Sequence, residues 1–393
     1  MDVFVLNDKF LRENIIDRYE SLVWADRYNA LGDFELTVAA DNEAYEYLIP
    51  DTKLTINGSD RVMVIEDYED VEDEEGRKLY RVSGRSLEKI LDDRVCWEDL
   101  LQNLDDRPKW ILNGLPANLA RNLYEWFCRL GYLSERDELS NIPQSYPEGI
   151  RIPEPSEMIR LELTPDTLLK RIQELCQMYD LGFKISINHL TGGLNFQIYT
   201  GWDRTSIQSA NDPVIFSADT ETLQNTKSVK TIRNSKNVAY VIGNRGTPQV
   251  VYAPGVVDAN RVRALQRRVL LVVIDDIDEE LTPSEVNLYL KQRGVEELSQ
   301  HRGISGLDGE IVRTDKFRYL SSYDLGDLVE MRGRNGEANR MLVTEHIWTS
   351  DESGVSSFPT LTLYVHVEDG TWLSWPQQRV WSEMETDTWG ELP

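Results

Sequence analysis

Lys53-Leu-Thr-Ile56, an Asn57-Gly58 turn, Arg61-Val-Met-Val-Ile-Glu66, an acidic loop closing at Gly76, and Lys78-Leu-Tyr-Arg-Val82 make a pattern that returns near the C-terminus. The second occurrence runs Leu328-Val-Glu-Met331, a loop carrying Gly333, Asn335 and Gly336, then Arg340-Met-Leu-Val-Thr-Glu345. After a polar loop to Gly354, Thr360-Leu-Thr-Leu-Tyr-Val365 closes it. Both contain Arg-apolar-apolar-Val-x-Glu, and Asp73-Glu-Glu-Gly76 aligns with Asp351-Glu-Ser-Gly354. Runs rich in β-branched and aromatic residues between Gly, Asn and Asp turns specify a three-stranded antiparallel meander. Unrelated meanders share alternation, but these two also agree in order, turn position and charged ends, which predicts a duplicated β-module.

At 393 residues the chain exceeds one comfortable core, so two or three domains are expected. There are 68 acidic and 42 basic side chains, a formal charge of −26, and such a field repels nucleic acid and anionic membranes. Cys96, Cys128 and Cys176 are an odd number without paired spacing, so neither a disulfide framework nor a zinc module is written here. The N-terminal Met1-Asp-Val-Phe-Val-Leu6 lacks a basic region and a long apolar core, so no signal peptide is expected. The longest apolar run, Val269–Ile274, is too short to span a bilayer, so no membrane-spanning segment is expected and the reading is a soluble protein assembled in a cytoplasm.

Working outward, Val3–Leu6, Ser21–Trp24 and Asp33–Val38 carry strand alternation, and Ser86–Leu91 a short helix. Leu119, Leu123, Trp126, Phe127 and Leu130 recur at helical spacing before Gly131. A loop with Pro143, Pro147, Pro153 and Pro155 follows. Thr164-Pro-Asp166 is expected to open a second helix, with Thr164 as N-cap, running to Gly182. Phe183–Ile187 and Leu194–Ile198 flank Thr191-Gly-Gly193 as a hairpin. Val214–Phe216, Asn237–Ile242 and Val250–Tyr252 resume the strand pattern. Thr282-Pro-Ser-Glu285 is a capping box for a helix that Gly294 should kink or divide. Residues 371–393 hold Trp372, Trp375, Trp381 and Trp389 without a period.

The residues yield no catalytic constellation. Gly303-Ile-Ser-Gly306 and Ser83-Gly-Arg-Ser86 miss nucleophile-elbow spacing, and no P-loop or dinucleotide turn is present. With Asp70 as first ligand of a calcium loop, Glu75 falls where glycine is required and Arg81 where the bidentate Glu belongs, which leaves a solvated hairpin tip. His189, His301, His346 and His366 are scattered; His346 and His366 can face each other across the second meander, but a metal site needs further ligands. Cys128 and Cys176 fall on apolar helix faces, as buried thiols do. The acid pairs Asp92-Asp93, Asp105-Asp106 and Asp275-Asp276 are sequence neighbours, which on a strand point to opposite faces. The basic cluster Arg261–Arg268 is outweighed by acids and suits a salt-bridged face or an acidic neighbour. No catalytic, cofactor-binding or metal residue is assigned, no cofactor is expected, and the chain is expected not to be an enzyme.

Several phrases carry a family likeness. Tyr19-Glu-Ser-Leu-Val-Trp24, Arg27-Tyr-Asn29, Gly32-Asp-Phe-Glu-Leu36, Arg61–Glu66, Gly84-Arg-Ser-Leu-Glu88 and Tyr323-Asp-Leu-Gly-Asp-Leu-Val329 resemble minor tail proteins, the tail-tip or baseplate hub proteins of long-tailed siphophages, especially those of actinobacterial and other Gram-positive hosts. The likeness covers most of residues 1–370 and is weakest over 96–160. It implies a β-rich α+β chain with two antiparallel β-barrel-like tube domains and an inserted α+β domain. The expected division is 1–95 with 215–250 as first tube domain, 96–214 as α+β insertion, 251–370 as second tube domain with a helix at 283–300, and 371–393 as a Trp-rich tail. It further implies a homotrimer at the virion tail tip, contacting the distal tail or tail tube protein, the tape-measure protein and other tip or fibre proteins. Genomic DNA would pass the acidic lumen without specific binding during ejection. The alternative is a tail-associated cell-wall glycan-binding protein or peptidoglycan hydrolase, with the tryptophans of 371–393 on sugar.

Overall fold

The computed structural model describes residues 1–40, 42–72, 76–98, 110–131, 133, 158–217, 219–231, 233, 235–253, 264–277, 281–301, 304–311, 316–333 and 338–364. The Pro-bearing loop, the tips of both meanders' loops at 73–75 and 334–337, Arg261 to Arg263, His366 and the Trp-rich tail lie outside them. The chain divides into two compact units, Met1–Gln224 with Gly309–Tyr364 and, between them, a second that includes Asn225–Asp308.

In the first unit β1 (Val3–Leu6), β2 (Arg12–Ile16), β3 (Ser21–Arg27) and β4 (Asp33–Ala39) precede the first meander, β5 (Lys53–Ile56), β6 (Met63–Glu72) and β7 (Lys78–Ser86). The α+β part follows as β8 (Val95–Cys96), β9 (Trp110–Gly114), α1 (Pro116–Tyr124), β10 (Ile159–Leu163), β11 (Asp166–Thr167), α2 (Leu168–Met178) and the hairpin β12 (Gly182–Ile187) and β13 (Leu194–Tyr199). After β14 (Ile215–Ser217), the chain crosses to the second unit on β15 (Leu223–Thr231). That unit holds β16 (Val238–Gly243), β17 (Gln249–Tyr252), β18 (Val269–Ile274) and α3 (Pro283–Gln300), and the chain leaves on β19 (Ile304–Ile311), the partner of β15. The second meander is β20 (Leu328–Arg332), β21 (Ala338–Asp351) and β22 (Gly354–Leu363).

Both meanders belong to one sheet. Among the described residues it has eleven strands in the order β14-β20-β21-β3-β4-β7-β6-β5-β1-β2, with β22 on β21. The long β21 makes the join: Ala338–Leu342 pairs with β20, Glu345–Ser350 with β3, and β22 runs along the other edge. Both central strands bulge at nearly the same place in the shared phrase, β6 at Glu66 and β21 at Thr344. Residues 251–370 therefore do not make a separate second barrel. Nor do 215–250 complete a first one, because β14 pairs in parallel with β20 while β16 and β17 lie in the second unit. No barrel closes among the described residues; the sheet path stays open at β2 and β14.

The sheet curls on itself instead. Val3, Ile16, Trp24, Leu36, Ile56, Ile65, Val82 and Trp348, from eight strands, share one buried cluster, and each such side chain stabilises by about 1.5–3 kcal/mol. On the outer face Val62, Val64, Leu87 and Leu91 pack under α1, α2 and the β12–β13 hairpin, where Tyr124 stacks on Phe196 at 3.8 Å. The α+β insertion is thus a second layer on the sheet.

Local expectations fare differently. The capping box at Thr282 and Glu285 is present and opens α3. Gly294 does not divide that helix; a Cβ there would stand 2.7 Å from Val241 and 2.8 Å from Val251, so the glycine lets helix and sheet approach. Helix α2 starts later than expected. Asp166–Thr167 is held to Val95–Cys96 as a strand pair, and Thr167, not Thr164, caps the helix through Lys170 N–H at 3.3 Å. The helix expected over Leu119–Leu130 is α1 continued by a π-turn, Glu125–Arg129, and Gly131 follows with φ +57°. Ser86 precedes a 3-10 turn, Leu87–Leu91.

Candidate functional site

The densest polar cluster of the first unit lies where the outer face of the sheet meets the α+β layer. The Asn57-Gly58 turn, with Gly58 at φ +100°, brings Ser59, Asp60 and Arg61 in front of β6. The 3-10 turn after β7 supplies Glu88, β12 supplies Lys184, and β3 supplies Asp26. Arg61 donates to the Glu88 carboxylate, to Arg27 C=O at 3.2 Å and to the Tyr199 hydroxyl at 3.4 Å. The same Glu88 oxygen accepts the Ile185 N–H at 2.7 Å. Lys184 donates to Asp60 at 2.6 Å and sits 5.1 Å over the Tyr199 ring. Asp26 accepts from Trp24 Nε1 at 3.0 Å and from Ser59 Oγ at 2.7 Å.

Arg61, Glu88, Asp26 and Lys184 are all buried. Burial opposes charge on Asp26, Arg61 and Lys184, and neighbours decide the outcome. For Asp26 burial wins and raises the carboxyl to about 7, despite Arg61. Asp60 is also penalised by burial, yet Lys184 and Arg61 hold it below the usual carboxylate range. Burial likewise lowers Arg61, but Glu88 outweighs it and fixes the guanidinium as a cation. Arg61 Nε and Asp60 Oδ1, each without a hydrogen bond, face one another at 3.6 Å. Largely buried, with only Asp60 partly exposed, this network ties the sheet to the α+β layer through the Arg61–Glu88 and Lys184–Asp60 pairs.

A second set of ties fixes the later meander. The Asp327 carboxylate accepts Trp202 N–H at 2.6 Å, Arg204 Nε at 2.7 Å and Asp324 N–H at 3.0 Å. Within the same phrase, Gly326 has φ +86°, and a Cβ on it would lie 2.3 Å from the Tyr28 ring. Gly201 is as tight, since its Cβ would meet the Gly326 carbonyl carbon at 2.0 Å. Tyr323 OH bonds His346 Nδ1 at 3.0 Å while Tyr319 stacks on that imidazole at 4.2 Å. Burial lowers His346 to about 3, and its partner on β22 is Pro359.

The other candidates sort similarly. His189 Nε2 lies 3.1 Å from Ser59 C=O, and His301 Nδ1 2.9 Å from Glu297 C=O. Cys96, Cys128 and Cys176 are buried free thiols, and burial pushes Cys96 up to about 12. Of the acid pairs, Asp92 bonds Arg85 at 3.3 Å; Asp105-Asp106 lies outside the described residues. Among the described residues no three His, Cys, Asp or Glu are grouped to hold a metal, and no helix is long and apolar enough to cross a membrane. A cleft of about 510 Å³ opens beside α1, lined by Tyr28, Pro116, Arg121, Asp180, Asp203 and Tyr364.

Sequence reasoning missed the Arg61–Glu88 staple. Its one visible signal was a basic residue heading the apolar run Arg61-Val-Met-Val-Ile65, with an acid to pair it in Gly84-Arg-Ser-Leu-Glu88.

A family model described as Siphovirus ReqiPepy6 Gp37-like protein matches residues 2–356. The chain belongs to this family. As a Gp37-like protein it is a minor tail protein of siphophages, with a structural role in the virion tail. Two solved structures share its fold. A 43 kDa tail protein of prophage MuSo2 from Shewanella oneidensis aligns at TM-score 0.55 and 15% identity, covering 92% of this chain and 98% of that one. A tail protein from Neisseria meningitidis MC58 aligns at TM-score 0.55 and 12% identity, covering 95% and 98%. No curated protein sequence matches this Gp37-like chain.

Proposed function

We propose that this Gp37-like protein is the hub of the tail tip, three copies forming a ring that continues the tail tube. The observation that carries this reading is the shared sheet: one chain sets two meanders on one ladder through β21, and that ladder stays open at β2 and β14 among the described residues. Open edges are hazardous in a soluble chain, and copies that pair edge to edge around an axis remove them. Three copies of two meanders present six like modules, the number a six-fold tube needs at a three-fold tip. A lumen lined by a chain of charge −26 lets DNA pass, since cationic walls would hold phosphate. The ring's upper side meets the distal tail or tail tube protein, its lumen the end of the tape-measure protein, and its lower side the tip or fibre proteins. The test joins sedimentation of the purified protein with electron microscopy of virions carrying a label on it. A species of three chain masses and a label at the tip are expected; a monomer at micromolar concentration, or a label along the shaft, overturns the reading.

A further inference from the structure

The second unit's sheet, ordered β17-β16-β18, is covered on one face only among the described residues. There Ala239, Val241, Val251 and Ile274 pack against Val286, Leu290 and Leu298 of α3. The opposite face carries Tyr240, Ile242, Val250, Leu271 and Val273, all well exposed, the last two at 61% and 66%. They form one patch, because Tyr240 pairs with Leu271 and Val250, and Ile242 with Val273. The sheet is mixed, β16 pairing antiparallel with β17 and parallel with β18, so its apolar outer face is not explained by the alternation of a one-sided antiparallel sheet alone. Strand β18, Val269-Leu-Leu-Val-Val-Ile274, is apolar at every position, unlike a strand built to face water. This face needs a second layer.

We propose that the chain's own Trp-rich segment, residues 365–393, is that layer. Trp372, Trp375, Trp381 and Trp389 bring four large rings, and Glu368, Asp369, Glu383, Glu385, Asp387 and Glu391 outnumber the single Arg379. One end of the face is cationic, where β18 begins after Arg267 and Arg268, while Asp275 and Asp276 stand exposed after its other end. The Arg267 guanidinium lies 5.5 Å over the Tyr240 ring and 5.9 Å over the Tyr252 ring, donates to Tyr240 OH at 2.9 Å, and Arg268 adjoins it. An apolar centre with arginines at one end matches an acidic aromatic segment, the pairing that protein interfaces enrich. The inference goes beyond the hub reading and stands without it, because the segment can come from the same copy or a neighbour.

The test uses the full-length protein with a benzophenone amino acid in place of Leu271, irradiated and mapped by mass spectrometry. Cross-links into residues 365–393 are expected, and mixing isotopically light and heavy protein assigns them to the same copy or a neighbour; either supports the proposal. Cross-links confined to residues before 365, in this copy or another, or no cross-link at all, overturn it. Leu271→Asp with Val273→Asp adds charge at solvent-facing positions, so far-UV circular dichroism should hold while tryptic cleavage after Arg379 speeds about tenfold, the factor that corresponds to about 1.4 kcal/mol of docking. Unchanged cleavage in a variant with native circular dichroism overturns the proposal as well.

Discussion

Replacing Asp26 with Asn should change how stability depends on pH, in a direction fixed by the fold. The carboxyl titrates near 3.8 in the unfolded chain and at about 7 in the folded one, because burial outweighs the pull of Arg61. Between those values the native state keeps a proton that the unfolded state has lost. Asp26 therefore contributes stability below pH 3.8 that is lost as pH rises to about 7, at about 1.4 kcal/mol per pH unit. His346, opposite Asp26 across the β3–β21 ladder, behaves the other way. Burial holds it neutral in the native state down to about pH 3 while the unfolded imidazole protonates below 6.5, so its contribution is present above 6.5 and fades as pH falls. From pH 5 to 6.5 the two slopes oppose each other in the native sequence. Asn matches the shape of the neutral Asp26, can keep the bond from Trp24 and can donate to Ser59 Oγ where the carboxylate accepts from it, so Asp26→Asn removes one slope and unmasks the other. Denaturant melts at pH 5, 6, 7 and 8 measure this. The stability advantage of Asp26→Asn over the native protein should grow by about 2 kcal/mol from pH 5 to pH 7 and level off by pH 8. An advantage independent of pH, or one that shrinks as pH rises, refutes the buried-acid reading.

Glu88→Gln should destabilise the first unit by about 3–5 kcal/mol, because it strands the buried Arg61; pairing it with Arg61→Met should restore much of that loss in denaturant melts, since an apolar pair leaves no buried charge. Additive losses in the double variant would speak against an ionic staple. Gly326→Ala should cost about 1–3 kcal/mol from its φ of +86° alone, and more from the contact with Tyr28; an unshifted thermal midpoint would mean that the approach of Gly326 to Tyr28 and Gly201 is wrong. Cys96, Cys128 and Cys176 should resist Ellman's reagent in the native protein and all react in guanidinium, whereas one thiol reacting within seconds in the native state would mark an accessible nucleophile.

What was legible in the sequence was local. Alternation and turn chemistry identified β1, β3 and β4, all six meander strands and the β12–β13 hairpin, because period-two patterns and Gly-bearing turns are decided within ten residues. The capping box at Thr282 was legible for the same reason. Strand β2, Arg-Glu-Asn-Ile-Ile16, was not, since its alternation is broken: Glu13 and Ile15 are both exposed and only Ile16 is fully buried. Long-range choices were hidden too. Nothing in Val269–Ile274 says that β18 lies parallel to β16, and nothing in Glu345–Ser350 says that β21 pairs with β3.

That last pairing is what separates the expected two barrels from the sheet observed. Arg-Met-Leu-Val-Thr-Glu345 and Arg-Val-Met-Val-Ile-Glu66 are nearly the same phrase, yet their arginines end differently. Arg61 is buried against Glu88, while Arg340 lies on a half-exposed strand end. The two glutamates keep closer company: Glu66 pairs with Arg85 at 2.7 Å and Glu345 with Arg27 at 2.7 Å, each beside its strand's bulge. A bulge increases twist and bends the strand, and the charge pair next to it fixes where the bend falls. In β6 that bend carries the strand from the α+β layer out toward solvent; in β21 it carries the strand from β20 to β3. The same local device thus serves two long-range ends, which is why its repetition could be read from the sequence and its consequence could not.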